Sequence, residues 1–361
     1  MFFSIVFIAC GLALLVVGAD SLVSGASRIA QRFGIPPLIV GLTIVAIGTS
    51  MPEITVSTTA ALSGNTELAL GNVVGSNIFN VLLIIGLASV ILPLSVHVSL
   101  IRQEVPVMIG FSLLLLVLIL DGSMSKLEAG ILLVLGVGYI LLLLVQARRA
   151  VHAGQNVAVD LPDASGWRGR LPEALLIALG LVGLVSGAQL LVKGATVIAL
   201  SLGISELVVG LTVVAIGTSL PEVAASVTAA LRGQRDMAIG GAVGSNIFNI
   251  ALCLGIAGMV APAGLEAPAQ LLAFDIRVMI AASIVLLPLI ITEYTVSRKE
   301  GVLLLFWCAV YLIWTVLAIT GSLFLPQFSR LVMFGLLPAS IIFLAITVII
   351  ALRGAKQDVS N

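Results

Sequence analysis

The phrase GLTIVAIGTSMPE, which ends at Glu53, is written again 169 residues later as GLTVVAIGTSLPE, ending at Glu222. The match runs on downstream. Of the 48 positions in 41–88, 29 are identical in 210–257, and both copies contain GSNIFN, at 75–80 and 244–249. A chain written twice from one template folds as two related units. Each unit here places a carboxylate directly after a proline inside an apolar stretch. Only 9% of the residues are charged and 60% are hydrophobic, whereas soluble domains carry about 25% charged residues. The solvent for such a surface is lipid.

A helix crosses the hydrocarbon in about 20 apolar residues. Punctuation by Gly, Pro and charge predicts spans near 3–27, 36–61, 68–92, 104–120, 126–147, 172–199, 205–231, 237–261, 270–291, 300–320 and 331–352. The N-terminus lacks a positive stretch ahead of its apolar run, so it reads as the first span and not as a cleaved signal. The expected fold is an all-α membrane protein with two five-helix halves, 1–147 and 172–320. A polar linker, 148–171, joins them, and 321–361 holds an eleventh helix and a tail.

Basic residues orient the chain. With the N-terminus outside, the cytoplasmic side holds 13 Lys and Arg, at 28, 32, 102, 148, 149, 168, 170, 232, 235, 298, 299, 353 and 356. The outside holds Lys126 and Arg330. The loop after Glu53 reads LSGNTEL, and its duplicate after Glu222 reads LRGQRDM. Only the second is basic, so the two copies point in opposite directions. Five crossings being an odd number, the second half is inverted relative to the first.

Pro52 and Pro221 lack an N–H and loosen the preceding turn, near Gly48 and Gly217. In hydrocarbon a released carbonyl needs protein, water or an ion. Thr49, Glu53 and Ser57 share one helix face, as do Thr218, Glu222 and Ser226. Ser76 with Asn80, and Ser245 with Asn249, form i, i+4 pairs, and Asn77 and Asn246 add amides. These ligands are all oxygen, which suits Ca²⁺ and not Zn²⁺ or copper. Two carboxylates match one Ca²⁺ or two monovalent cations.

Other polar positions have plainer expected roles. Asp20, aligned with Gln189, reads as an interface residue, and Lys193 as a side chain reaching outward. Glu104 and Asp275, beside Arg102 and Arg277, read as local ion pairs. Glycines 71, 75, 240, 241 and 244 read as points of close helix approach. Ser205 before Glu206 reads as a helix cap. Cys10, Cys253 and Cys308 read as packing residues.

GTSMPE with GSNIFN, and GTSLPE with GSNIFN, resemble the two alpha-repeats of the calcium/cation antiporter superfamily, its prokaryotic sodium/calcium exchangers in particular. The resemblance covers about 8–320. It implies a ten-helix inverted repeat in an inner (plasma) membrane, whose second, third, seventh and eighth helices surround the ions. It implies Na⁺ influx driving Ca²⁺ efflux by alternating access, with no resident cofactor. By motif position, Glu53 and Glu222 would bridge Ca²⁺. The backbones of Ala46 and Ala215 and the side chains of Thr49, Ser50, Thr218 and Ser219 would complete the Ca²⁺ and Na⁺ sites. Ser76 and Ser245 would belong to flanking Na⁺ sites, with Asn80 and Asn249 central. Some relatives, including potassium-dependent ones, carry Asp in place of Asn249; two Asn leave no third acid and argue against K⁺ co-transport. The eleventh helix lies outside the ten-helix pattern and is expected to pack peripherally or at an oligomer contact.

Other readings remain. A Ca²⁺/H⁺ antiporter could carry protons on the two glutamates, although hydroxyl and carbonyl ligands favour Na⁺. A cation channel is usually ringed by several subunits, which an acid pair within one chain fits poorly. An intramembrane enzyme would want His ligands or a base beside serine, and neither is evident. Zero net charge points to no nucleic-acid partner. Oligomeric state is not legible.

Overall fold

The computed structural model describes residues 2–152, 171–202, 215–291 and 294–346. Among these, nine helices are long and apolar enough to cross a membrane, and one bent pair supplies a tenth crossing. In chain order they are α1 (Phe3–Phe33), α2 (Pro37–Thr49 with Met51–Leu62), α3 (Thr66–Ile91), α4 (Leu100–Leu118), α5 (Lys126–His152) and α6 (Glu173–Ser201). The described part of α7 comprises Ala215–Thr218 and Leu220–Leu231. Then follow α8 (Arg235–Val260), α9 (Leu271–Ile290), α10 (Arg298–Ile319) and α11 (Leu325–Ile346). Most of the expected 148–171 linker, the Ser205 cap and the tail after Ile346 lie outside the described residues.

Helix ends follow local chemistry. The α1 helix continues past 27 through Arg28 and Arg32, because charge ends a hydropathy run without ending a helix. It stops at Gly34, whose φ of 65° only glycine adopts easily, just ahead of Pro36. The α2 helix breaks at Ser50, where the two pieces meet at 42°. Pro52 follows in the first turn of the second piece, where its lack of an N–H is tolerated. Ser219 and Pro221 repeat this break in α7. One feature was not expected from the apolar pattern. Both α3 and α8 loosen into π-helical turns, Asn80–Ile85 and Asn249–Leu254, that begin at the duplicated asparagines. Such turns recur at functional sites.

Two small antiparallel sheets report the topology. Leu94–Ser95, after the third crossing, pairs with Thr295–Val296, after the ninth. Ser123–Met124, after the fourth, pairs with Leu265–Glu266, after the eighth. Each pair is separated by an even number of crossings, so each closes on one side of the bilayer. The halves are therefore related as an inverted repeat. The centre of the fold is α3 with α8, whose apolar windows are 72% and 78% buried; the other whole spans reach at most 44%. The eleventh helix packs at the periphery, where Trp307 and Trp314 of α10 donate their indole N–H to Ser340 and Ser329, both at 3.1 Å.

Two carboxylates outside the centre, Glu104 buried and Asp275 half-buried, correct an expectation. Glu104 and Asp275 do not pair with Arg102 and Arg277. Glu104 instead accepts a hydrogen bond from Tyr139, and Asp275 accepts one from Tyr311 at 3.0 Å. Arginines one turn from a helix end reach interfacial water, so a phenol from the next helix serves these acids. Each tyrosine also packs on a phenylalanine of the opposite half, Tyr139 on Phe248 at 6.0 Å and Tyr311 on Phe79 at 6.2 Å. Asp20 is an interface residue as expected, ion-paired with Arg232 of α7. Lys193 is exposed and lies 5.2 Å above the Phe7 ring.

The antiparallel pair α1 and α6 packs through glycines spaced by seven, 11, 18 and 25 against 180, 187 and 194. A Cβ at Gly18 would stand 2.7 Å from the Leu184 nitrogen, and one at Gly180 would stand 2.6 Å from the Leu22 nitrogen. Among the five glycines singled out by sequence, a Cβ at Gly240 or Gly244 would stand 3.0 or 2.9 Å from the backbone oxygen of Leu38 or Leu42, while one at Gly241 would make only an ordinary contact. The equivalent neighbours of Gly71 and Gly75 fall in 203–215, largely outside the described residues. Substituting Gly18 by Leu is expected to destabilise the purified protein by about 3 kcal/mol or more, since backbone cannot yield as side chains do. Gly138→Ala, with nothing within 4 Å, is expected to leave thermal stability in detergent unchanged. Equal melting temperatures for the two variants would show that the helices do not depend on this contact.

Candidate functional site

The breaks in α2 and α7 turn their acid-bearing pieces inward. Glu53 is fully buried and Glu222 is 2% exposed, where a lone carboxylate costs several kcal/mol. Neither is ion-paired with Lys or Arg among the described residues. Their surroundings are hydroxyls, most of them from the opposite half. Thr218 and Ser219 of α7 face Glu53, while Thr49 and Ser50 of α2 face Glu222.

The contacts are long. Ser50 Oγ lies 3.4 Å from Glu222 Oε1, and Ser76 Oγ lies 3.4 Å from Glu53 Oε1. Ser219 Oγ is 3.3 Å from Ser76 Oγ. Ser245 Oγ, reaching from α8, is 3.4 Å from the Ala46 carbonyl, which also accepts from the Ser50 backbone N–H at 3.1 Å. Thr49 bonds the Val45 carbonyl at 3.0 Å in its own helix. Ala215 opens the described part of α7 in the place that Ala46 takes in α2.

Among the described residues, several buried polar atoms here have no protein partner, namely Oε2 of both glutamates, Oδ1 of Asn249, and Oδ1 and Nδ2 of Asn80. The structure thus gathers the expected residues: Glu53, Thr49, Ser50, Ala46, Ser76 and Asn80 from one half, Glu222, Thr218, Ser219, Ser245 and Asn249 from the other. A buried carboxylate that serves structure alone takes a close donor, as Glu104 takes the Tyr139 phenol. A cluster of carboxylate, hydroxyl, amide and carbonyl oxygens with no basic residue is what a hard cation satisfies.

Two residues that share the acid-bearing face are used elsewhere. Ser57 donates to the Ala69 carbonyl at 3.4 Å and Ser226 to the Ala238 carbonyl at 3.3 Å, tying each broken helix to its neighbour. Two other residues escaped the sequence reading. Asn72 donates to Ser57 at 3.0 Å and accepts from Thr218 at 3.4 Å. Its place one turn before Ser76 was a usable signal. The Cys253 thiol lies 3.2 Å from the Glu53 carbonyl, and nothing in the sequence marked it beyond packing. Asn77, read from the sequence as one of the amides, joins the two central helices.

A sodium/calcium exchanger protein family model matches residues 3–146 and 173–317. The chain belongs to that family. The two matched segments coincide with α1–α5 and α6–α10 and leave α11 outside. Among the chain's relatives, a putative antiporter, CaxA, of Alkalimonas amylolytica is 40% identical over 84% of this chain and 96% of its own. The inner membrane protein YrbG of Escherichia coli is 38% identical over 76% of this chain and 85% of its own. A solved structure of the sodium-calcium exchanger NCX_Mj, soaked with Na⁺ and no Ca²⁺, superposes with a TM-score of 0.70 at 32% identity, covering 84% of this chain and 96% of that one. The chain is therefore a cation antiporter of the calcium-exchanging family and a transporter by descent.

Replacing either acid removes charge from the cluster. Glu53→Gln and Glu222→Gln are each expected to weaken equilibrium ⁴⁵Ca²⁺ binding to purified protein about tenfold or more, the equivalent of about 1.4 kcal/mol. Ser226→Ala, which alters only a helix tie, is expected to bind within about twofold of the parent. An equal loss in all three variants would remove the distinction between ligand and tie.

Proposed function

We propose that the protein exchanges Na⁺ for Ca²⁺, with Na⁺ influx driving Ca²⁺ efflux by alternating access across the inner membrane. The observation that carries this reading is the pair Glu53 and Glu222, buried without a basic partner and each faced by hydroxyls from the opposite half. Two carboxylates neutralise one Ca²⁺. Glu53 and Glu222 bridge it, and Thr49, Thr218, Ser50, Ser219 and the backbones of Ala46 and Ala215 complete its shell and that of Na⁺. Ser76 and Ser245 belong to flanking Na⁺ positions, with Asn80 and Asn249 between them.

Sodium is preferred to protons as counter-ion because the donor set is richer than protonation requires. A proton needs one carboxylate oxygen, whereas Na⁺ needs several, and hydroxyls and amide carbonyls supply them. The same charges explain exchange without leak. Closing both gates over two bare carboxylates costs several kcal/mol, so loaded states cross and empty ones do not. With the N-terminus outside, the loops carrying Arg232, Arg235, Arg298 and Lys299 face the cytoplasm, as the positive-inside rule asks. The location named for YrbG agrees with an inner membrane.

Vesicles loaded with Na⁺ and diluted into Na⁺-free buffer are expected to take up ⁴⁵Ca²⁺, while a matched pH gradient without Na⁺ drives none. Uptake driven by the pH gradient alone would overturn the sodium reading in favour of Ca²⁺/H⁺ exchange. Adding valinomycin reports charge balance. Each unbalanced charge carries about 2.3 kcal/mol per 100 mV, so a 3:1 exchanger responds to the imposed potential and a 2:1 exchanger does not.

A further inference from the structure

At the crossing of α3 and α8 two asparagines clasp each other's backbone. Asn77 Nδ2 donates to the Asn246 carbonyl at 3.1 Å, and Asn246 Nδ2 donates to the Asn77 carbonyl at 3.3 Å. By the repeat, these two residues are equivalent, and so are their backbone bonds. Their remaining amide oxygens are not. Asn77 Oδ1 accepts a hydrogen bond from Asn249 Nδ2 at 3.1 Å. Among the described residues Asn246 Oδ1 has no partner, and neither does the amide of Asn80, the residue equivalent to Asn249.

The directions of these bonds are forced. A backbone carbonyl can only accept, so the atom of Asn77 that faces the Asn246 carbonyl must be the NH₂ group. The other end of Asn77 is then an oxygen, and the atom of Asn249 that meets it must in turn be its NH₂ group. Asn249 is left with its oxygen turned away from Asn77, buried and without a protein donor. It lies one helical turn beyond Ser245 and at the start of the π-helical turn in α8.

An asparagine can face a cation with a carbonyl oxygen or repel it with an N–H, and the two orientations differ by a rotation of the amide. We infer that Asn77 is a positioning residue that fixes Asn249 as a carbonyl donor to the transported cation. It does so by passing the direction of a backbone carbonyl through two amides. This rests on the cation-exchange reading of the central site. It also explains how a chain with asparagine at 249 presents an acceptor there without a carboxylate, whose two oxygens both accept whichever way the group turns.

The inference has a test that a mere helix tie would not pass. ⁴⁵Ca²⁺ uptake into Na⁺-loaded vesicles is measured against Ca²⁺ concentration for the parent, Asn77→Ala, Asn249→Asp, the double variant and Asn246→Ala. With Asn249 in place, Asn77→Ala is expected to raise the Ca²⁺ KM about fivefold, as loss of a hydrogen bond of about 1 kcal/mol would, with maximal rate little changed. In the Asn249→Asp background the same change is expected to leave KM unaltered or lower it, because a carboxylate needs no orienting and the Asn77 oxygen opposes it. Asn246→Ala, which leaves the bond to Asn249 intact on the Asn77 side chain, is expected to shift KM less than Asn77→Ala.

Equal KM increases from Asn77→Ala in both backgrounds would overturn the inference, as would no increase in a stable Asn77→Ala protein. If Asn77→Ala alone yields no monodisperse protein, the pair Asn249→Asp and Asn77→Ala/Asn249→Asp decides by itself. Collapse of that double variant too would show the clasp to be a helix tie and nothing more. A parent that takes up no Ca²⁺ under a Na⁺ gradient would instead refute the functional reading beneath it.

Discussion

Hydrocarbon offers no water to a buried carboxylate, and everything at the centre of this protein answers to that. Glu53 and Glu222 sit where an uncompensated charge costs several kcal/mol. Among the described residues, the fold brings them no guanidinium or ammonium. It brings hydroxyls from the opposite repeat, so that Glu53 depends on Thr218 and Ser219 and Glu222 depends on Thr49 and Ser50. Neither half makes a site alone. The inverted duplication is thus a chemical requirement as much as an evolutionary record. Contacts of 3.3–3.4 Å among these oxygens leave the charge only partly met, and on the proposed function a cation supplies the rest.

The surrounding architecture holds those oxygens in place by the same reciprocity. The central helices α3 and α8 are joined by the Asn77–Asn246 clasp. Tyr139 and Tyr311 each bond a carboxylate of their own half and pack on a phenylalanine of the other. The strand pairs between loops tie the halves on each side of the membrane. By contrast α1 and α6 meet mainly each other, glycine to backbone, and form a unit at the edge of this frame.

Much of this was legible in the sequence, for physical reasons. Apolar runs report spans because lipid tolerates little else, and Pro52 and Pro221 report breaks because an absent N–H cannot be replaced. The duplicated phrases report the acid pair and its hydroxyls directly. What stayed hidden depends on partners distant in the chain. Glu104 and Asp275 looked like ion pairs because Arg102 and Arg277 are near in sequence, while their actual partners lie 35 and 36 residues away. The α1–α6 glycines form heptads in each half, but only the fold shows that the two series face each other. The π-helical turns at Asn80 and Asn249 leave no mark in an apolar pattern, since they change the register of a helix and not its composition.

The departures from two-fold symmetry carry their own meaning. Were the halves identical, the states open to either side of the membrane would be mirror arrangements of equal free energy, and only the ions would choose between them. They are not identical. Asn72, which reaches Ser57 and Thr218, stands opposite Gly241. Cys253, against the Glu53 carbonyl, stands opposite Ile84. The ion pair of Asp20 with Arg232 is replaced in the other half by Gln189 and Ser63, which carry no charge. Asn249 is held by Asn77, while Asn80 has no equivalent hold. Any intrinsic preference between the two states must arise from contacts of this kind, since the matched ones contribute equally to both. The acids themselves are matched. On the proposed function, the symmetric residues define what the site binds, and the unmatched ones are where a preference between the two sides can arise.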